Sequence, residues 1–173
     1  MLVIFHPFQR LYRRLDLTRG EHSLVLAYFG VGFFGAAMAM NVVMTLGGVA
    51  ALMTPFSGYD YWVIFSGAVG AGCGLYLGRN WMGHTGLRGV AFAMIGMLWV
   101  SFLGGLVGGS LALPLYGTMF GPFTLFVSLF SAPLLTIVWG CVLFASHLLL
   151  KIWRQERDSI FHAVPLEGHF DGF

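Results

Sequence analysis

Residues 110–123 read SLALPLYGTMFGPF, a stretch with no charged side chain, two prolines and two glycines. It lies inside a run of 58 residues, Gly89 to Ser146, that contains no Asp, Glu, Lys, Arg or His. As one straight helix that run would extend roughly 87 Å, against a bilayer hydrocarbon core of about 30 Å. It therefore has to turn back once. Pro114, Gly117, Gly121 and Pro122 supply the only concentration of turn chemistry within it, since proline lacks an N–H and glycine tolerates unusual backbone angles. The stretch is expected to form an apolar hairpin between two membrane spans, with Pro114, Leu115, Tyr116, Phe120 and Phe123 at the outer interface or in a partner's cleft.

The rest of the chain has the same solvent in view. Of its 173 residues 58% are hydrophobic and 9% are charged, where a soluble domain carries about 25% charged residues. A water-soluble globule is excluded, because too little polar surface is present to cover a core. Uncharged runs also cover residues 23–59 and 61–78. With the hairpin in place, four spans are predicted at about 23–48, 61–78, 89–112 and 124–148. The expected fold class is an all-α polytopic membrane protein of one domain. An amphipathic segment (1–20) precedes its four transmembrane helices and a tail (151–173) follows them.

The basic residues orient this bundle. Arg10, Arg13, Arg14 and Arg19 precede the first span, Arg79 and Arg88 flank the second loop, and Lys151, Arg154 and Arg157 follow the last span. Four spans place all nine on one side, whereas three or five would divide them. Basic residues are retained on the cytoplasmic side. Both termini are therefore expected in the cytoplasm, in a bacterial inner membrane or its equivalent. Ala37-Met38-Ala39 would suit a signal-peptide cleavage site, but the apolar run around it is too long for one.

Before the first span, Phe8, Leu11, Tyr12 and Leu15 recur at helical spacing, with Arg10, Arg13 and Arg14 opposite. That pattern predicts a helix lying on the inner leaflet, its arginines against anionic lipid. Thr18 and Glu21 then read as a capping box that starts the first span.

Small residues recur every fourth position in three spans. They are Ser66, Gly70, Gly74 and Gly78; Ser101, Gly105 and Gly109, with Gly104 and Gly108 beside them; and Ser128, Ala132, Thr136 and Gly140. Such ladders flatten one helix face so that backbones approach closely, within the chain or against a partner.

Chemistry-bearing groups are few. No ionisable side chain is expected in the membrane interior, where proton relays and coupled-ion sites usually place one. Asn41 is the most polar residue near a span centre and is read as a helix-to-helix hydrogen-bonding group. Asp60, within the aromatic belt of Tyr59, Tyr61 and Trp62, is read as a loop residue on the outer side. Cys73 and Cys141 lack CxxC spacing and read as small buried apolar residues. His22, His84 and His147 fall near the cytoplasmic interface and read as polar anchors, and they are the residues a haem or chlorophyll would use. No CxxCH or HxxxH pattern accompanies them. The pattern contains no cofactor motif, so bound lipid is the expected companion. Nor does it contain a nucleophile-and-base pairing, a phosphate loop or a nucleic-acid-binding pattern.

The expected function is that of a non-catalytic accessory subunit or assembly factor of a larger inner-membrane complex. It would meet other integral membrane proteins, or further copies of itself, through glycine-rich faces and apolar loops. The alternative is the membrane subunit of a solute transporter or a small oligomeric channel. The small membrane subunit of a tripartite solute carrier is similar in size and four-span layout, a likeness of architecture only.

Overall fold

The computed structural model describes residues 17–53 and 55–161. The amphipathic segment with Arg10, Arg13 and Arg14, and the tail beyond residue 161, lie outside them. The described chain is helical, with no strand among the described residues: α1 (Arg19–Met53), α2 (Gly58–Gly78) extended by a 3-10 turn (Arg79–Trp81), α3 (Gly86–Ala112), α4 (Tyr116–Ser131) and α5 (Pro133–Phe161). Among the described residues, four segments are long and apolar enough to cross a membrane: Arg19–Gly48, Gly58–Trp81, Arg88–Ala112 and Pro133–Ser159. The protein is an all-α polytopic membrane protein.

Two helix starts are fixed by side chains. Thr18 N–H donates to Glu21 Oε2 at 2.9 Å, and Glu21 N–H donates to Thr18 Oγ1 at 3.3 Å. Ser57 and Asp60 make the same reciprocal pair before α2. Each box satisfies amides that a helix leaves orphaned at its first turn. Near the far end of α1, Gly48 takes φ 56° and ψ −146°, a left-handed conformation that glycine adopts without a Cβ penalty.

The hairpin differs from the sequence expectation. The irregular part is only Leu113 to Leu115, and the helix resumes at Tyr116. Gly117 and Gly121 do not break it, and Pro122 sits buried inside it. The fourth span starts at Pro133 and not at 124. The true interruption is at Ala132, with φ −128° and ψ 86°. Pro133 explains it: a proline clashes with a helical residue before it and pushes that residue towards extended geometry.

The helices are arranged in a ring. α2 packs between α1 and α3, α4 runs back along α3, and α5 returns to pack on α1. α5 barely touches α3 or α4. The buried core draws Val31 and Phe34 from α1, Leu75 from α2, Val100 from α3, and Trp139 and Leu143 from α5. Phe34 and Trp139 stack with ring centroids 5.0 Å apart.

One end of the ring is shut. The loop after α2 docks on α5, where Gly83 N–H donates to the buried His147 Nδ1 at 3.0 Å. Arg154 donates to the Arg79 carbonyl at 2.8 Å and to the Asn80 carbonyl at 3.2 Å. Ser23 Oγ donates to the Leu149 carbonyl at 3.0 Å, and Gly20 N–H meets Glu156. Arg19, Arg79, Arg88, Lys151, Arg154 and Arg157, all the basic residues among those described, gather at or beyond this end.

Candidate functional site: a glycine-walled cavity

The small residues of α3 serve two neighbours at once. Gly104 and Gly108 meet α2: a Cβ on Gly70 would stand 2.5 Å from Gly108 N, and one on Gly74 would stand 2.5 Å from the Val100 carbonyl oxygen. Gly78 is pressed against Val100. One residue further round the same helix, Gly105 and Gly109 meet α4. A Cβ on Gly105 would approach Pro122 Cα to 2.9 Å, and Gly109 lies against Gly117 and Gly121. Contacts this close leave no room for any side chain and bring the backbones together. A further seam joins α1 to α2 through Gly35 with Gly67 and Ala71. It escaped the sequence reading because Gly67 and Ala71 stand one residue along from the ladder of Ser66 and Gly70.

The remaining ladder positions do other work. Ser66 is buried and donates to the Trp62 carbonyl at 2.8 Å. Ser101 donates to the Met97 carbonyl at 2.8 Å and accepts from Trp139 Nε1 at 2.9 Å, tying α3 to α5. The ladder expected in the last span is not one face of one helix. Ser128 is in α4, Ala132 is at the break, and Thr136 is in α5, where its hydroxyl donates to the Leu129 carbonyl across the break. Gly140 is exposed, with no heavy atom within 4 Å of where a Cβ would stand.

Where α1 and α4 stand apart, the ring encloses space. A cavity of about 640 Å³ is lined by all five helices, within the roughly 300–1,000 Å³ typical of small-molecule sites. Its floor is Met38, Ala71, Val100, Ser101 and Trp139, all buried. Its other limit is formed by exposed residues, Leu46, Gly47, Pro55, Tyr59 and Leu113. The chamber is therefore blind towards the basic end and open at the end where α2 begins. Phe120, Thr124 and Leu125 of α4 form one wall. α1 and α4 face each other across the space and barely touch.

The cavity is chemically one-sided. Among the described residues, every side-chain donor lining it is already committed. Tyr59 Oη donates to the Ala112 carbonyl at 3.2 Å, Thr124 Oγ1 to the Gly121 carbonyl at 3.0 Å, and Ser101 and Trp139 to the partners given above. Asp60 is the one charged residue among the described residues of the lining, and it stands at the mouth. Trp62 Nε1 donates to the Leu111 carbonyl at 2.9 Å and clamps the start of α2 to the end of α3.

Other candidates lie elsewhere. His22 bonds the Leu17 and Thr18 carbonyls, His84 bonds the Asn80 carbonyl, and His147 accepts from Gly83. None of the three lines the cavity. Among the described residues no three His, Cys, Asp or Glu side chains converge as a metal site would need. Asn41 is exposed on the bundle surface, so its expected role between helices is not what the structure gives it. Cys141 is also exposed and Cys73 half-buried, whereas both had read as buried. Pro114, Leu115, Tyr116 and Phe123 are exposed, and Phe120 borders the chamber.

The sequence reading missed the chamber, since a gap between helices has no motif. No family model, curated protein or solved structure matches this chain.

Proposed function

We propose that this chain is a small non-catalytic membrane subunit that takes an apolar solute into its helix ring, as a binding component of a transport assembly. The cavity carries the reading: a chamber of about 640 Å³ with apolar glycine walls, a blind floor at Trp139 and an open mouth. The positive-inside rule would place the basic end in the cytoplasm of a cell whose inner membrane holds the protein. The mouth would then face the outer side. The discontinuity between α4 and α5 fits this reading, since solute sites in transporters are commonly built beside interrupted helices.

The test is binding of an apolar fluorescent probe to the purified chain in nanodiscs, with Val63→Trp as the blocking variant. Val63 lines the chamber from α2 and is half-buried, so a tryptophan there would occupy the space while leaving the glycine seams untouched. Saturable binding to the wild type that Val63→Trp abolishes supports the reading. Equal binding by both proteins refutes it.

A second reading, an accessory subunit or assembly factor, draws on the outer face of α4. Leu115, Met119 and Phe130 are 84%, 81% and 85% exposed, a denser apolar projection than a single lipid anchor needs. Leu115→Asp with Met119→Asp would then reduce recovery of a co-purifying membrane protein and leave the fold intact.

A further inference from the structure

The chamber's polar groups select a ligand class, an inference that rests on the solute-binding reading above. Ligands with an anionic head require donors, and all the side-chain donors among the described residues of the lining are spent on the protein itself. Neutral polar heads meet the same lack. What the mouth does offer is acceptor capacity and ring faces. Asp60 lines the cavity there, and both of its bonds to Ser57, from the amide and from the hydroxyl, converge on Oδ2 at 2.7 Å each. Oδ1 takes no hydrogen bond from a described residue. Phe56 and Tyr59 line the same mouth, and Tyr61 packs edge-on against Phe56 with centroids 5.8 Å apart. No Lys or Arg among the described residues stands at this end to neutralise the carboxylate.

A carboxylate beside aromatic faces attracts cations by both charge and ring quadrupole. In the low-dielectric margin of a membrane, that attraction is screened less than in water. We infer that the site takes a lipophilic cation, its apolar body between the glycine walls and its positive centre held at the mouth by Asp60 with Phe56 and Tyr59. A body with its charge buried inside fits as well as one with a charged head, provided the positive centre comes to rest near Asp60.

The experiment uses the full-length chain in nanodiscs of zwitterionic lipid, with protein-free discs to subtract partition into lipid. Equilibrium dialysis compares tetraphenylphosphonium with tetraphenylborate, which share shape and differ in sign, and with neutral triphenylmethane. Wild-type protein is expected to bind the cation at least about tenfold more tightly than the anion. Asp60→Asn, which retains an acceptor for the Ser57 amide, is expected to erase most of that preference. Equal affinity for cation and anion, or a preference for the anion, overturns the inference and leaves the solute-binding reading standing. Failure of all three probes to bind overturns both. Should Asp60→Asn lower the melting temperature enough to obscure its effect, the wild-type comparison still decides.

Discussion

Leu115 holds the tightest turn among the described residues. Its φ of 71° and ψ of −61°, with Tyr116 N–H donating to the Pro114 carbonyl at 2.9 Å, describe a three-residue γ-turn of the rare hand. A residue with a Cβ stores on the order of 1–3 kcal/mol in such a conformation. Glycine has no such penalty, and the leucine side chain is almost wholly exposed, so little packing is lost on removing it. Leu115→Gly is therefore expected to raise the melting temperature in detergent by an amount corresponding to about 1 kcal/mol, whereas Leu115→Ala should not. A lowered melting temperature for Leu115→Gly would show that the leucine is held by contacts outside this chain. At this scale the sequence was partly legible. Pro114 did mark the turn, but Gly117, Gly121 and Pro122 looked like more of the same and proved to be contact residues. In water glycine and proline chiefly punctuate. In lipid a glycine is also the flattest surface a helix can offer, and proline is tolerated where neighbours satisfy the freed carbonyl.

Among the elements, the break between α4 and α5 is the feature most sensitive to a single atom. Pro133 has no N–H, so the Leu129 carbonyl loses its helical donor, and the Thr136 hydroxyl replaces it. Thr136 is exposed on the outside of the bundle, where lipid offers no substitute donor. Thr136→Val keeps the shape and removes the hydroxyl. It is expected to cost about 1–3 kcal/mol, seen as a lower melting temperature, while Thr136→Ser should match the wild type. The sequence concealed this break because Ser128, Ala132, Thr136 and Gly140 form an unbroken small-residue ladder on paper. The residue after Ala132 decided otherwise. Conversely, α3 is legible in detail: adjacent pairs, Gly104 with Gly105 and Gly108 with Gly109, are what a helix needs when it has a close neighbour on each of two sides.

Across the whole molecule, composition and charge placement were enough for the membrane class and the number of crossings. The chamber was not legible, since it depends on where five helices leave a gap. Sidedness is open to a direct measurement. With Cys73 and Cys141 replaced by alanine, single cysteines at Ser57 and Tyr116 should react with an impermeant reagent added to intact cells, and one at Thr85 should react only after lysis. All three positions are exposed. Gly83 and Gly117 are buried and make poor probes. Labelling of the Thr85 position alone in intact cells would invert the molecule and turn the chamber towards the cytoplasm.

The seam between α1 and α5 has a bearing on how the protein is made. Neighbouring helices α1 to α4 can pair as each one leaves the ribosome, because each packs on the one before it. The first helix, however, waits for the last. Until α5 arrives, Val31 and Phe34 have no partner in Trp139 and Leu143, the amide of Gly20 lacks Glu156, and the floor of the chamber lacks Trp139. Biogenesis thus ends with a long-range closure whose loop spans nearly the entire described chain, the kind of contact that is slow to form and is missing from every shorter product. A nascent chain stalled before Pro133 would therefore present an open seam to membrane quality control, and a finished one would not.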